Sequence, residues 1–442
     1  MRILVGTFEI CRHVYDLADG FRQAGHDTDA VIAFKSPFHP DLPYDAEYNP
    51  QGALQGLAAL QKDPIRHFLN PAKPLDDFRR MLNDYDVFVF VFAHSLLPGN
   101  QDFPMLKAFG KQIICIFEGS DVRHYSAAEP VAAAFGYHIP PMYRKAPYDN
   151  LAARWQNMRM AEVYADAIFS LPFQSELALR PYWHFYLPVN LDLYCHHIPG
   201  REVPRLVHAP SRRGFKGTDQ FFAVLDRLEA EGVAFELQLL EKVTNAEVIA
   251  ALEDADVVLD ELNAPHYGML ALEGMATGCA VVAGCDLGYV PYQEGSPVYA
   301  VRHDTLYDRL KALLTSRDLR LQHAERGLSF VQQKHLHADV AQGMLDKLGR
   351  TADFEYYPTF TAEQYQLPEG ETLTEPHRRL TTKVVAKHGA PSPSAKARLV
   401  QAGLADPSLL RQPVTVWSEP EEVERQIWGY RPLRHEAVAQ AA

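Results

Sequence analysis

The sequence contains no long hydrophobic run. Apolar residues make up 47% of its 442 residues, but no stretch approaches the roughly 18 consecutive apolar residues of a membrane-spanning helix. The apolar start at 1–5 is followed at once by polar residues, which favours a first strand over a signal peptide. We therefore expect a cytoplasmic protein, with peripheral attachment to a membrane surface as the alternative.

Cysteine is also scarce. The five cysteines are scattered and odd in number, which is typical of reduced thiols and not of a disulfide framework. Cys195 is followed by His196 and His197, but neighbouring strand residues point to opposite faces of a sheet. We therefore expect no metal site there.

Positive charge is in deficit, since the formal net charge is -13 at pH 7. Broad, non-specific binding of nucleic acid requires a basic surface, so we do not expect it here. This net charge is compatible with a local basic patch, and such a patch lies in the tail between His377 and Arg398. Binding of an acidic acceptor or of nucleic acid by this patch is the minority alternative to packing of the tail on the body.

The dinucleotide-binding motif Gly-x-Gly-x-x-Gly is missing from the first βα turn. The chain opens with an apolar strand at 2–5, a helix at 14–24 and a second strand at 29–33. The turn between the first strand and the helix is Thr7–His13, which is bulky and charged. This opening is therefore a βαβ unit without the dinucleotide fingerprint.

Strand and helix patterns alternate as far as about residue 348. Near-continuous apolar runs at 86–92 and 111–117 predict strands that are buried on both faces of a parallel sheet. The irregular segment at 35–80 is rich in proline, and we interpret it as an insertion. We predict an α/β protein with Rossmann-like doubly wound domains at 1–199 and 200–349.

The βα alternation stops after residue 349. Residues 350–442 are rich in proline, threonine, serine and alanine, and 419–426 has a helical pattern. We interpret this part as a C-terminal extension that packs back on the body.

The segment 256–284 carries the clearest pattern of the chain. A short apolar run at 257–259 ends on two carboxylates, Asp260 and Glu261. A helix is predicted from Gly268, because apolar residues follow at three- and four-residue spacing, and Gly278 is a suitable stop. The apolar run at 280–283 then completes a strand–helix–strand crossover of a parallel sheet.

Glu273 lies on the flank of the apolar stripe of this helix, one turn from its start. A carboxylate in such a place is unfavourable unless it is hydrogen-bonded, and a ribose diol can donate two hydrogen bonds to it. The N–H groups near Tyr267, Gly268 and Met269 suit an anion, which the helix dipole also favours. This pattern fits a nucleoside diphosphate; a Glu273 bonded to neighbouring backbone or arginine is the equally weighted alternative.

A basic loop with glycine follows the predicted strand at 206–209. It contains Arg212, Arg213 and Lys216, a set suited to a diphosphate because arginine is a bidentate donor and lysine a point charge. A solvated cluster of surface charge is the alternative. The exit of the next strand, around Val243, is where we expect a nucleotide base to lie.

Polar residues also follow the two strands at 86–92 and 111–117. His94 comes after the first, and Glu118 and Asp121 come after the second. Both sets should lie at the carboxyl edge of the sheet, where open α/β folds bind ligands. For each residue the alternative is a loop side chain that caps a helix or bonds to backbone.

The pattern YGxxxxExMAxGxxVV at 267–282 resembles the donor-binding signature of GT-B glycosyltransferases of the GT4 type. On this resemblance, Glu273 holds the ribose, while Lys216 of the Lys216-Gly217 pair and Arg213, or secondarily Arg212, neutralise the leaving phosphate. Pro265 stands where the family has a first Glu that holds the transferred sugar, and Asp260, Glu261 and His266 are the candidate substitutes.

A second similarity is the stretch Glu118–Arg123, which resembles the HGSDxR stretch of the same family with Glu118 in place of the common His. The resemblance implies a GT-B fold whose two domains face a cleft. It also implies a hexosyltransferase-like glycosyltransferase that uses a nucleotide sugar, retains the anomeric configuration and requires no metal or cofactor. An inverting reaction would instead use Glu118 or Asp121 as general base.

The sequence leaves several partners open. The donor is expected to be of the UDP or GDP type, and the acceptor is a glycan, a lipid-linked saccharide, a protein or a small molecule. The oligomeric state is open, including a homo-oligomer. Two other functions are weighed: a nucleotide-sugar 2-epimerase on the same scaffold, and a non-catalytic subunit that binds nucleotide sugars.

The candidate residues fall into two sets. Those expected to take part in catalysis are His94, Glu118, Asp121, Arg213 and Lys216. Those expected to bind the donor are Arg212, Arg213, Lys216, Val243, His266, Tyr267, Gly268, Met269, Leu270 and Glu273.

Overall fold

A computed structural model of the chain describes most of the first 350 residues and part of the tail. The described residues are 1–92, 94–123, 133, 151–171, 177–180, 182–264, 266–285, 295–350, 373–389, 397, 399–401 and 403–411. Pro265 and the helix predicted at 419–426 lie outside them.

The first half of the chain forms a seven-stranded sheet in which every pair of strands is parallel, in the order β3-β2-β1-β4-β5-β6-β7. Its strands are β1 (Arg2–Phe8), β2 (Asp27–Phe34), β3 (Ala46–Glu47), β4 (Val87–Val91), β5 (Gln112–Phe117), β6 (Ala167–Ser170) and β7 (Trp183–His184). The apolar runs that predicted β4 and β5 are buried, because helices cover both faces of the sheet.

The helices of this half follow the strands in the chain. They are α1 (His13–Gln23), α2 (Pro50–Lys62), α3 (Pro64–Leu69), α4 (Lys73–Asp84), α5 (Phe103–Ala108) and α6 (Leu151–Tyr164). The segment at 35–80, interpreted from sequence as an irregular insertion with at least one helix, therefore contains β3, α2, α3 and most of α4. Proline occupies the first turn of each of these three helices, where its missing N–H is tolerated.

The second half forms a five-stranded parallel sheet in the order β12-β11-β10-β8-β9. Its strands are β8 (Arg205–His208), β9 (Glu236–Leu239), β10 (Val257–Leu259), β11 (Ala280–Ala283) and β12 (Tyr299–Ala300). Its helices are α7 (Arg213–Lys216), α8 (Thr218–Ala230), α9 (Asn245–Leu252), α10 (Met269–Thr277), α11 (Leu306–Thr315), α12 (Arg317–Ala324), α13 (Gly327–Lys334) and α14 (His337–Leu345). Two doubly wound parallel sheets confirm the predicted fold class.

The crossover β10-α10-β11 is built as its sequence predicts. Helix α10 ends at Thr277, and Gly278 follows with φ +104°, a conformation that glycine adopts without strain. A Cβ atom at Gly278 would lie 2.2 Å from the carbonyl oxygen of His197. Glycine is therefore required at 278 both by the backbone conformation and by the close approach of the His197 carbonyl group.

The chain returns to the first half after the second sheet. The N–H of Val189 donates to the carbonyl of His335 at 2.7 Å, and the N–H of His337 donates to Val189 at 3.1 Å. Helix α14 packs on α1, where Nε2 of His337 lies 3.0 Å from Oδ2 of Asp19. These contacts hold the two sheets against each other, and one buried core includes side chains of both.

The described part of the tail packs on the first half. Helix α15 (Glu375–His388) lies against α6, and Nε1 of Trp155 donates to Oγ1 of Thr381 at 2.9 Å. Val384 and Val385 are buried in the core beneath it. None of the helices in the described ranges has the length and apolar character that crossing a membrane requires.

Replacement of Thr381 by valine tests this docking. The Thr381→Val side chain keeps the shape but removes the hydroxyl oxygen that accepts the indole N–H of Trp155, so we expect the free energy of unfolding to fall by about 1–3 kcal/mol. Urea denaturation measures this free energy. Thr382→Val on the same helix is the control, because the Thr382 hydroxyl donates to the carbonyl of Arg378 within the helix. Equal losses in both variants would contradict the assigned role of the Trp155 bond.

Candidate functional site

The carboxyl ends of the two sheets meet across a crevice. The backbone N–H of Asn245, which follows β9, donates to the carbonyl of Phe38 at 3.1 Å. The guanidinium of Arg123, which follows β5, lies 5.0 Å from the centre of the Phe215 ring. The two contacts bring loops from the carboxyl ends of both sheets next to each other.

Lys216 lies on the second-half wall, between the end of β10 and the start of α10. Its Nζ donates to Oδ1 of Asp260 at 2.6 Å and lies 3.8 Å from Oε2 of Glu261. The other oxygen of Asp260 accepts the N–H of Gly268 at 3.1 Å. The lysine and the helix start are thus joined through one buried carboxylate.

The charges of this cluster are set by burial and by mutual attraction. Burial lowers the pKa of Lys216, but Asp260 and Glu261 raise it by more, so the net pKa is raised. Burial raises the pKa of Asp260, and the lysine overcomes this, so the net pKa is lowered. At neutral pH the two residues form an ion pair.

Glu261 is the more weakly stabilised acid of the cluster. Burial raises its pKa, and the attraction of Lys216 offsets only part of the rise.

The start of α10 differs in one respect from the expectation. The N–H of Gly268 is already bonded to Asp260, so the open donors of this helix are those of its first turn, which begins at Met269 and Leu270. The Tyr267 side chain is buried in the core, and its hydroxyl lies 3.0 Å from Nε2 of His335. Tyr267 therefore fixes the helix start, and its side chain does not point into the crevice.

Glu273 is buried, with 5% of its surface exposed. Oε1 accepts a hydrogen bond from Nδ2 of Asn245 at 2.7 Å, and within the described ranges this is the side chain's only hydrogen bond. Burial raises its pKa to about 7, and the nearby charge of Asp260 adds to the rise. The charges of Arg12 and Lys216 act on it in the opposite sense, which places it between the two walls.

The remaining donor candidates lie nearer the surface or serve the fold. Arg213 makes a bidentate ion pair with Glu241, at 2.7 and 2.9 Å, and is exposed. Arg212 is exposed and Val243 is half-buried at the exit of β9. His266 is buried beside Tyr267, and burial lowers its pKa to about 3, so it is neutral.

Glu118 forms a short contact that the sequence did not indicate. Its Oε2 lies 2.6 Å from Nδ1 of His13, and both side chains are buried. Burial lowers the pKa of His13, but the Glu118 carboxylate raises it by more. Oε1 of Glu118 and Nε2 of His13 are buried without a hydrogen-bond partner among the described residues. The two side chains form a buried acid–base pair on the first-half wall.

Asp121 and His94 have other surroundings. The Asp121 carboxylate accepts the N–H groups of Glu118 and Gly119, the shorter at 2.6 Å, and burial raises its pKa to about 7. Asp121 thus shapes the loop that presents Glu118. His94 is exposed, stacks on Phe8 at 4.9 Å, and lines a cavity whose lining does not include Glu118 or Lys216.

The turn Thr7–His13 supplies residues that sequence reasoning did not select. Glu9 accepts the N–H groups of Val14 and Tyr15 at the start of α1, and burial raises its pKa to about 7. Arg12 pairs with Asp16 at 3.1 Å. The charged composition of the turn was a signal for these residues, but their partners are set only by the fold.

The adjacent residues Cys195 and His196 have different surroundings. Cys195 is exposed, and Nδ1 of His196 lies 3.0 Å from the carbonyl of Ala276. No group of three or more potential ligands is found within the ranges that the structure describes.

Replacement of Glu273 by glutamine tests its burial. Its pKa is raised from 4.5 to about 7 in the folded chain, so the folded state binds more protons than the unfolded state in this interval, and the wild type loses stability as pH rises through it. Glu273→Gln does not titrate, so its stability relative to wild type should grow by on the order of 2 kcal/mol from about pH 5 to about pH 8.

Urea denaturation at the two pH values measures this difference. Glu229→Gln, on the exposed side of α8, is the matched control and should show no such growth. A Glu273→Gln advantage that is equal at both pH values would contradict the raised pKa of the buried Glu273 carboxyl group.

Comparisons with known proteins complete the description of the site. No protein-family model matches the chain, and no curated protein matches it. Three similar solved structures are a sucrose-phosphate synthase from Thermosynechococcus elongatus, an α-glucosyltransferase in complex with UDP-glucose and abasic DNA, and WaaG, a glycosyltransferase involved in lipopolysaccharide biosynthesis.

The similarity to these structures is distant. Their sequence identities to this chain are 12%, 13% and 15%, and their TM-scores are 0.49, 0.49 and 0.46. They cover 78%, 79% and 79% of this chain and 98%, 99% and 99% of their own. With TM-scores below 0.5, these structures are not used as evidence for function. The fold assignment is based on the strand order and register of the two sheets.

Proposed function

We propose that the chain is a glycosyltransferase that moves a sugar from a nucleoside-diphosphate sugar to an acceptor. The observation that carries the proposal is the alignment of three features on one wall of the crevice. These are the Lys216 ammonium, the first turn of α10 and the buried carboxylate of Glu273. The cation and the backbone N–H donors suit a diphosphate, and the carboxylate suits the ribose diol that follows the diphosphate in a nucleotide.

The ion pair of Lys216 with Asp260 is compatible with a bound diphosphate. An ammonium carries three N–H donors, and Asp260 takes one of them at 2.6 Å. A phosphoryl oxygen can accept another while the first is kept. The open N–H groups at Met269 and Leu270 then face the same anion, which the positive end of the helix dipole stabilises.

Glu273 suits the ribose. One of its oxygens is held by Asn245, which fixes the orientation of the carboxyl group. Glu273 follows Met269, at the start of α10, by roughly one helical turn. A diol that donates to Glu273 also favours the ionised form, whose pKa burial has raised to about 7.

The reaction follows from these positions. The glycosidic bond to the diphosphate breaks, and the charge that develops on the leaving oxygen is stabilised by Lys216 and by the helix start. In this proposal the protein supplies that stabilisation without a metal. Retention of configuration and a UDP or GDP donor are carried over from the GT4 resemblance. An inverting reaction would instead use Glu118, which is paired with His13, to take the proton from the acceptor.

Binding of nucleotides tests the diol role of Glu273. A thermal-shift series with UDP, GDP, ADP and TDP identifies the base, and titration calorimetry then gives the affinity. Glu273→Ala should weaken binding by about 1.5–3 kcal/mol, the range for a hydrogen bond to a charged group. Glu229→Ala is the control and should bind as wild type does. Unchanged affinity in a folded Glu273→Ala protein would remove the residue from the site.

Turnover tests the role of Lys216. Lys216→Ala should lower the rate of donor hydrolysis or transfer by about tenfold to a thousandfold, because charge on the leaving group is no longer neutralised. Since the single change leaves Asp260 buried without its cation, the double variant Lys216→Met with Asp260→Asn keeps the site neutral. Lys383→Ala on the exposed side of α15 is the control. Full activity in the double variant would contradict the mechanism.

A further inference from the structure

A cavity of about 410 Å³ lies at the carboxyl ends of the first sheet. It is bounded by Thr7 and Phe34, where β1 and β2 end, and by His94 after β4. The start of α2 and Asn157 of α6 close the other sides. The carboxyl ends of the strands are the edge at which open α/β sheets bind ligands, and the donor site described above does not use this cavity.

The lining of the cavity is polar but carries no acidic, lysine or arginine side chain among the described residues. Four amide side chains contribute to it: Asn49, Gln51, Asn100 and Asn157. The aromatic rings of Phe34 and His94 form another part, with their centres 6.1 Å apart. Amides that both donate and accept, combined with flat apolar faces, suit a molecule with hydroxyl groups on one side and C–H groups on the other.

One of these amides lacks the partner that its burial requires. Asn100 is 1% exposed, and its Nδ2 is buried without a hydrogen-bond partner in the described part of the chain. Leaving such a donor unsatisfied costs about 1–3 kcal/mol. Asn100 therefore adds an unsatisfied amide donor to the wall of this cavity.

The start of α2 adds donors at the mouth of the cavity. Oδ1 of Asn49 caps this 13-residue helix by accepting the N–H of Gly52 at 2.9 Å. Gln51 is exposed beside it and lines the same cavity. Its amide is therefore free to turn toward a ligand without disturbing the fold.

We propose that this cavity binds an uncharged saccharide of one or two rings. A volume of about 410 Å³ is near the small end of the range for ligand pockets, about 300–1,000 Å³. A phosphorylated or acidic sugar would lose hydration of its charge without gaining a counter-ion. If the chain transfers sugars as proposed above, this saccharide is the acceptor, or the sugar unit on the reducing-end side of the accepting unit. Only this role of the saccharide rests on the proposed function.

Binding of sugars tests the site directly. Saturation-transfer NMR and calorimetry are carried out with methyl α-glucoside, N-acetylglucosamine and maltose, and with glucose 6-phosphate and glucuronate as charged counterparts. We expect at least one neutral sugar to bind and the charged ones to bind at least tenfold more weakly. Gln51→Ala and Asn157→Ala should each weaken binding of that sugar about threefold to tenfold, as the loss of one neutral hydrogen bond predicts.

Gln61→Ala is the matched control, because Gln61 is an exposed glutamine of the same helix and does not line the cavity. It should bind sugar as wild type does, and all three variants should keep the wild-type affinity for UDP. Absence of binding by every neutral sugar, equal binding of charged sugars, or equal affinities of Gln51→Ala and Gln61→Ala would each overturn the proposal. Sugar binding that persists without any nucleotide binding would overturn the proposed function and leave this site intact.

Discussion

The buried ion pair between Lys216 and Asp260 is the interaction on which the crevice depends. Removing two charges from water is unfavourable, and the pair is tolerated because Asp260 also accepts the N–H of Gly268. The backbone joins the same elements, since the N–H of Leu262 donates to the carbonyl of Lys216 at 3.2 Å. One carboxylate thus fixes three elements: the basic loop, the end of β10 and the start of α10. Loss of either partner would leave the other charge buried alone.

The acids around the crevice ionise less readily than their number implies. Burial raises the pKa of Glu9, Asp121 and Glu273 to about 7 in each case. Each is nonetheless held by hydrogen bonds, from backbone N–H groups for Glu9 and Asp121 and from Asn245 for Glu273. At neutral pH these three acids therefore carry less negative charge than three fully ionised carboxylates would, which favours an anionic ligand near them.

Much of the fold and part of the site follow from short stretches of sequence. The apolar runs of β4 and β5 and the spacing in α10 predict elements that the structure confirms, because burial on both faces or on one helical face leaves a periodic signal. The pairs His13–Glu118 and Asn245–Glu273 leave none, since their members are 105 and 28 residues apart. Arg213 shows the same limit: its charge was visible in the sequence, but its bidentate partner Glu241 was not.

The second-half wall of the crevice and the first-half cavity differ in the charge of their side chains. The second-half wall holds charge at fixed points, with Lys216 beside a helix start. The cavity of the first half offers amides and aromatic rings without an acidic, lysine or arginine side chain among its described lining. A charged ligand gains most binding free energy where a counter-charge is already held in place. A neutral polar ligand gains most where amide groups line the binding site. The difference in charge between the wall and the cavity therefore favours one anionic and one neutral ligand. A nucleotide sugar and an uncharged saccharide are a pair of substrates that meets both conditions.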